Sequence, residues 1–163
     1  MGSLIAVFPG SFDPPTNGHV DLISRATRIA GKLIVAVLSN ESKQPMFTSD
    51  ERIAMLRETA NFPGVEFVAF NGLLVDFATK HAATVIVRGL RAVSDYEYEL
   101  HMALMNRRLI PNIETIFLMS GEANSFVSSR LVKEVAKLGG DVSSMVPAVV
   151  FERLRKKFQV DKS

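Results

Sequence analysis

Leu4-Ile-Ala-Val-Phe-Pro-Gly-Ser-Phe-Asp-Pro-Pro-Thr-Asn-Gly-His19 sets a short apolar run directly before a Gly- and Pro-rich turn, and a helix opens at its end. An apolar run of that length bounded by turn residues reads as a buried strand, and Val20, Ile23, Ala26 and Ala30 beyond it recur at helical spacing. Outward from this unit the same alternation repeats. Strands are predicted near 4–9, 32–39, 65–70, 84–88 and 114–119, and helices over 18–30, 48–60, 73–81 and 94–109. Thr48-Ser-Asp-Glu51 and Ser94-Asp-Tyr-Glu97 each read as a capping box opening a helix. A fifth helix is expected from Ser128 or Ser129 to a stop at Gly139-Gly140, and a sixth from Pro147. Strands alternating with helices demand a parallel sheet, so the expectation is one doubly wound α/β domain over residues 1–163, with five parallel strands and helices on both faces.

Composition agrees with a packed core. The chain has 163 residues, 47% hydrophobic and 22% charged, and at that length about 70% of the unfolded surface can be buried. Its 19 Lys and Arg against 17 Asp and Glu leave a net +2, too little for nonspecific binding of a polyanion, so a small phosphorylated ligand fits better than nucleic acid. Without cysteine there is no disulfide, thiolate zinc cluster, iron–sulfur centre or cysteine nucleophile, although a His and carboxylate metal site stays open. The longest apolar run, Leu33 to Leu38, is far below the roughly 18 residues that span a bilayer. No targeting segment is read, and a soluble, cytoplasmic protein without membrane contact is expected.

In an open parallel sheet, ligands bind beyond the carboxyl ends of the strands, at the point where strand order reverses. The segments 10–17, 40–47, 71–73, 88–93 and 120–127 are placed there. The first lacks both the Walker Gly-Lys-Ser/Thr ending and the three-glycine dinucleotide pattern. What it offers is a Gly-rich turn feeding a helix N-terminus, where free N–H groups and the dipole favour a phosphate and His19 can donate to one of its oxygens. Arg88 and Arg91 follow the strand Val85-Ile-Val87; their planar forks suit a phosphate, or an internal salt bridge with Asp95, Glu97 or Glu99. The segment Asn124 to Arg130 brings two hydroxyls, Ser128 and Ser129, to a helix start, where a plain Ser N-cap is the alternative. His81 and His101 have no partner pattern, and Arg153, Arg155, Lys156 and Lys157 read as a solvated face.

Thr16-Asn-Gly-His19 resembles the (His/Thr)-x-Gly-His signature of the nucleotidyltransferase superfamily, and Gly10-Ser-Phe-Asp-Pro14 its adenylyltransferase form. Arg88-Gly-Leu-Arg-Ala-Val-Ser-Asp-Tyr-Glu-Tyr-Glu99, and Ser125-Phe-Val-Ser-Ser129 with Lys133-Glu134, resemble the bacterial phosphopantetheine adenylyltransferases. The resemblance implies a Rossmann-like fold and transfer of AMP from ATP to 4′-phosphopantetheine, giving dephospho-coenzyme A and pyrophosphate. It implies Mg²⁺ with the ATP, a homohexamer, and feedback by coenzyme A. It gives catalytic roles to His19, Lys43 and Arg91, and places Ser11, Lys43, Leu74 and Arg88 at the acceptor. To the ATP site it assigns Ser11, Phe12, His19, Gly89, Leu90, Arg91, Glu99 and the run Asn124, Ser125, Phe126, Val127, Ser128, Ser129, Arg130. Two positions depart from the common pattern: Arg130 stands where a small hydroxyl residue is frequent, and Asn124 where an aromatic sometimes stands. A cation in a first helical turn is opposed by the dipole unless an anion offsets it, so Arg130 is predicted to face the β and γ phosphates, with an outward pair to Glu134 as the alternative. A nicotinate mononucleotide adenylyltransferase, which favours His at position 16, and a noncatalytic ATP-binding module are the other readings.

Overall fold

Side-chain alternation along the apolar segments decides the layers. In β1 (Ile5–Gly10), Ala6 and Phe8 join one core and Val7 the other; in β2 (Lys32–Leu38), Leu33, Val35 and Val37 oppose Ile34 and Ala36. Both sets are buried, which requires cover on each face of the sheet. The computed structural model, which describes residues 4–39 and 44–160, supplies it. With β3 (Val65–Phe70), β4 (Val85–Leu90) and β5 (Glu114–Met119), the strands form one all-parallel sheet in the order β3-β2-β1-β4-β5. Helices α1 (Asn17–Ala26) and α2 (Ser49–Thr59) pack Leu22, Ile23, Ala26, Ile53 and Leu56 on one face. Helix α3 (Leu74–Lys80) packs Val75 and Ala78 on the other, beside α4 (Val93–Leu109). Right-handed crossovers dictate this split, because the chain steps outward from β1 to β3 and then jumps back across β1 to reach β4.

A third core lies off the sheet. Val132 of α5 (Ser129–Lys137) and Val150 and Leu154 of α6 (Ala148–Val160) close with Val127, Val142 and Val146 on Phe47 and on Met55 of α2. Arg153 pairs with Glu58 and Lys157 with Glu51, so part of the charged face expected to be solvated joins α6 to α2.

Several boundaries differ from the sequence reading, each for a local reason. β4 runs on to Leu90 because Arg88, Gly89 and Leu90 pair with Phe117, Leu118 and Met119 of β5. Helix α1 stops at Ala26, where the Thr27 hydroxyl donates to the Ser24 carbonyl and the chain tightens into a turn. The Thr48/Glu51 capping box forms, but α4 starts at Val93 with no side-chain cap bond from Ala92, and the Asp95 carboxylate accepts the N–H of Arg91 instead.

The reversal of strand order opens the crevice. β1 stays paired to β2 as far as Gly10, but to β4 only at Ala6 and Val7. Pro9, which has no N–H to give a ladder, sits where the β4 side of the strand is already free, and its carbonyl accepts from Arg88 Nη1 at 3.1 Å.

Candidate active site

Two cavities meet at this opening. The first, about 320 Å³, is bounded by the end of β1, the start of α1, the end of β4 and the start of α5. The second, about 640 Å³ and mostly apolar, runs between β1, α3 and α4. They share Pro9, Gly10, Ser11, Arg88, Glu99 and Ser129 as a common wall.

His19 is prepared by its helix. Thr16 is the N-cap of α1 and His19 its third residue; the Thr16 hydroxyl accepts from the His19 N–H, and His19 Nδ1 accepts from the Thr16 N–H at 3.0 Å. This is a capping box with imidazole in the place usually held by Glu or Gln, a substitution that hides it in the sequence. Because Nδ1 accepts, the proton resides on Nε2, and the ring can offer a donor to a ligand. Burial, and then the charge of Arg91, lower the His19 pKa to about 4, so the imidazole is neutral at pH 7.

Arg88 in β4 and Arg91 just beyond it are both held by carboxylates. Arg88 Nε and Nη2 donate to the two Glu99 oxygens at 2.7 and 2.5 Å, while Arg91 Nε lies 3.1 Å from Asp95 and its Nη1 donates to the Val127 carbonyl at 3.2 Å. The internal ion pairs are therefore formed, with Glu99 and Asp95 as partners. Gly89 lies between them without a side chain because a Cβ there would stand 2.5 Å from Leu22 Cδ1 of α1. With these charges matched, the unopposed positive potential of the first cavity comes from two helix N-termini, α1 and α5, which converge on it.

Of the residues assigned to a nucleotide, Ser11, Phe12, His19, Gly89, Arg91, Glu99, Asn124, Val127, Ser128 and Ser129 line the first cavity. Leu90 is buried in β4, the Ser125 hydroxyl donates to the Glu122 carbonyl, and Phe126 is exposed; none of the three borders it. Ser128 is the N-cap of α5, its hydroxyl accepting from the Leu131 N–H, and the Ser129 hydroxyl donates to the Pro14 carbonyl, so these side chains serve the backbone. Without a nucleotide, the Arg130 guanidinium donates to Glu134 at 2.9 Å with the side chain 88% exposed, the alternative pair named from sequence, and the residue borders the second cavity. One turn of helix brings those two side chains together, whereas the first cavity lies toward the preceding turn. Leu74 and Arg88 line the second cavity, and Lys43 lies outside the described residues.

Three further residues shape the site without a local signal in the sequence. Buried Asp13 accepts from the N–H groups of Met46 and Phe47 at 3.0 and 2.9 Å and from Lys133 Nζ at 2.8 Å, tying the turn after β1 to two distant segments. Buried Arg52 donates to three carbonyls, and buried Asn106 of α4 borders the second cavity. Their partners are remote in the chain, so no local pattern announces them. Among the described residues no group of three His, Asp or Glu side chains could hold a metal ion.

Comparison with known proteins bears on this arrangement. The Cytidylyltransferase-like family model matches residues 7–135, which carry both cavities' β1, β4 and α5 walls. In structure, the chain is similar to a Vibrio parahaemolyticus protein described as a nicotinate-nucleotide adenylyltransferase, with a TM-score of 0.66 at 13% identity over 94% of this chain and 91% of the other. It is also similar to the lipopolysaccharide core biosynthesis protein from Thermoplasma volcanium GSS1, with a TM-score of 0.54 at 18% identity over 74% of this chain and 98% of the other. At those identities the likeness is one of fold. In sequence, it is 52% identical over 154 residues to the phosphopantetheine adenylyltransferase of Alkaliphilus metalliredigens (strain QYMF), covering 94% of this chain and 98% of that one. It is 54% identical over 157 residues to the phosphopantetheine adenylyltransferase of Methylococcus capsulatus (strain ATCC 33009 / NCIMB 11132 / Bath), covering 96% and 97%. Identity above one half along nearly the full length of both relatives, on a parallel sheet opened at its reversal point, makes the chain a member of the phosphopantetheine adenylyltransferase family.

Proposed function

We propose that the chain transfers the adenylyl group of ATP to 4′-phosphopantetheine, releasing pyrophosphate and leaving dephospho-coenzyme A, a step of coenzyme A biosynthesis. The observation that carries this reading is the pair of abutting cavities, one polar and fed by two helix N-termini, the other larger and apolar, joined at Gly10, Ser11 and Arg88. A nucleotide polyphosphate suits the first and an extended, largely uncharged arm the second, with the acceptor phosphate at the shared wall.

The acceptor phosphate is already a nucleophile at neutral pH. One of its oxygens forms a bond to the α-phosphorus of ATP while the bond to the bridging oxygen of pyrophosphate breaks, and no proton has to move. The protein's task is then to align two anions and to meet the charge that develops. His19, neutral and protonated on Nε2, donates to a non-bridging α-phosphate oxygen. Arg91 and the N–H groups opening α5 take the β and γ phosphates, and Arg88, with Lys43, takes the acceptor phosphate. Mg²⁺ would arrive with ATP and screen its phosphates; the acidic residues at the first cavity, Asp95 and Glu99, pair with Arg91 and Arg88 in the ligand-free protein. Leu74 and Met102 supply apolar wall to the pantetheine arm.

A cytoplasmic location, a homohexamer and inhibition by coenzyme A, which shares the pantetheine arm, belong to the same proposal. Leu104, Met105 and Leu109 leave an exposed apolar strip on α4 that supports subunit contact. Incubation with ATP and each acceptor in turn, assayed for pyrophosphate, tests the reaction. Release with 4′-phosphopantetheine alone is expected; release with nicotinate mononucleotide, or with neither, replaces the substrate or the enzyme. Light scattering at micromolar concentration should return six times the 17.9 kDa chain mass.

A further inference from the structure

Among the described residues Arg52 is the one buried cation. It lies in the second turn of α2, beneath the turn that follows β1. Its Nη1 donates to the carbonyl of Ser11 at 2.6 Å and to that of Leu38 at 3.0 Å, and its Nε donates to the Thr48 carbonyl at 3.2 Å. One guanidinium thereby joins the chain just past β1, the end of β2 and the N-cap of α2. Taking an arginine out of water is costly, and an apolar side chain of similar length would fill the space without that cost. What Arg52 adds beyond packing is the tie itself.

The tie ends on a strained turn. Phe12, next to Ser11, has φ 49, in the left-handed region that a bulky side chain rarely enters. Its ring is buried under Gly10, where a Cβ would stand 2.9 Å from it, and meets Phe8 edge-on with centroids 5.8 Å apart. On the other side the same ring meets the His19 imidazole edge-on, 5.0 Å between centroids at 70°. The Thr16 cap fixes which His19 nitrogen holds the proton, and the Phe12 ring fixes the face against which the imidazole rests.

We propose that Arg52 is a positioning residue for adenylyl transfer: by anchoring the Ser11 carbonyl it holds Phe12 in its left-handed conformation, and through the Phe12 ring it sets the orientation of His19. The proposal rests on the reaction proposed above. Arg52 borders the second cavity, but its Nε and Nη1 are engaged by the Thr48, Ser11 and Leu38 carbonyls, and its effect on the reacting phosphate is carried through Ser11, Phe12 and His19. Burial also pulls the Arg52 pKa below its ordinary value, against the opposing charge of Asp13, as expected for a cation retained where solvent is scarce.

Arg52→Lys, which keeps the charge and loses the fork, and Arg52→Met, which keeps the bulk, are the test. In a variant that circular dichroism finds folded, kcat should fall about 10- to 100-fold, the cost of a misplacement near 1 Å, with both KM values within about threefold of wild type. In the ligand-free protein, the ¹⁵N resonances of His19 Nδ1 and Nε2 should move from their wild-type positions. A folded variant with wild-type kcat, His19 resonances that do not move, a loss confined to KM, or failure of both variants to fold would each overturn the assignment and leave Arg52 a structural residue. The nuclear resonances need no substrate. A wild type that released no pyrophosphate would therefore sink the reaction while the link from Arg52 to His19 could still be measured.

Discussion

The turn after β1 and the end of β4 face each other across one crevice and hold their charges in opposite ways. On the β1 side Asp13 and Arg52 are buried, and their hydrogen bonds reach backbone and side chains far away in sequence. On the β4 side Arg88 and Arg91 sit in forks with Glu99 and Asp95 and remain partly exposed, at 30% and 39% of their side-chain surface. Buried bonds of the first kind set a shape, because breaking one leaves an uncompensated group in the interior. Ion pairs of the second kind can be exchanged, because a guanidinium fork that fits a carboxylate fits a phosphate equally well; the change is screened most readily at Arg91 and Asp95, since Glu99 is itself buried. The crevice thus has one fixed jaw, carrying His19, and one jaw whose cations can pass from carboxylate to ligand.

The largest effect should come from the fixed jaw. Removing the His19 donor with His19→Ala should lower kcat by about 10² to 10³, the scale for one donor to a developing oxyanion, with the fold kept. A folded variant with near-normal kcat would take the chemistry away from this side altogether. Asp13→Ala should cost about 3 kcal/mol in denaturant unfolding, since it strands two backbone N–H groups at a buried position and takes the partner from the partly exposed Lys133 ammonium. A loss below about 1 kcal/mol would place Asp13 with the exchangeable pairs.

The exchangeable jaw should respond in binding. Arg88→Ala should weaken phosphopantetheine by about 1.5 to 3 kcal/mol in calorimetry and leave ATP nearly unchanged. Loss on the ATP side would reverse the assignment of the two cavities.

Acid offers a sharper separation of the two jaws. His19 has its pKa lowered from 6.5 to about 4 in the folded protein. Above pH 6.5 folded and unfolded chains both carry it neutral, and its contribution to stability is whole. As pH falls from 6.5 towards 4 the unfolded chain binds a proton that the folded one refuses, and stability is lost over that window. The melting temperature of His19→Gln should therefore fall less between pH 7 and pH 5 than that of wild type. Equal slopes would mean that the imidazole titrates normally.

Smallest of all is Arg130. Its exposed pair with Glu134 is worth about 0.3 to 0.5 kcal/mol, so Arg130→Ser should change stability by no more than that, and ATP should raise the melting temperature of variant and wild type equally. A smaller ATP-induced shift in the variant would restore this residue to the polyphosphate.

What the sequence disclosed follows the same division. Period and turn chemistry placed every strand of the sheet within about two residues, because burial on both faces leaves runs such as Leu33 to Leu38 no other role. They also marked the loops at the carboxyl ends of the strands where a ligand must sit, but that β1 and β4 are the strands that part there follows from the strand order, which only tertiary structure fixes. Partner choice was less legible. Arg88 and Arg91 could be read as ligands or as ion pairs until the pitch of α4 presented Asp95 and Glu99 to them. Arg130 turned outward for a local partner one turn away. The pairs from Asp13 to Met46 and to Lys133, 33 and 120 residues apart, are products of tertiary structure that no window along the chain contains.

The third core couples the crevice to the end of the chain. Val127, whose carbonyl receives Arg91, is buried against Val146, Val150 and Leu154, and the Asn17 N–H and amide that open α1 donate to the carbonyls of Met145 and Ser144. Both helix starts that face the first cavity are thereby fastened to the segment that leads into α6. Opening of that terminal helix would loosen both together, so its amides and those of the crevice should exchange with solvent deuterium as one cooperative unit. A nucleotide seated far from α6 would then be felt there as slowed exchange, and clipping that helix would be felt in the crevice as lost affinity.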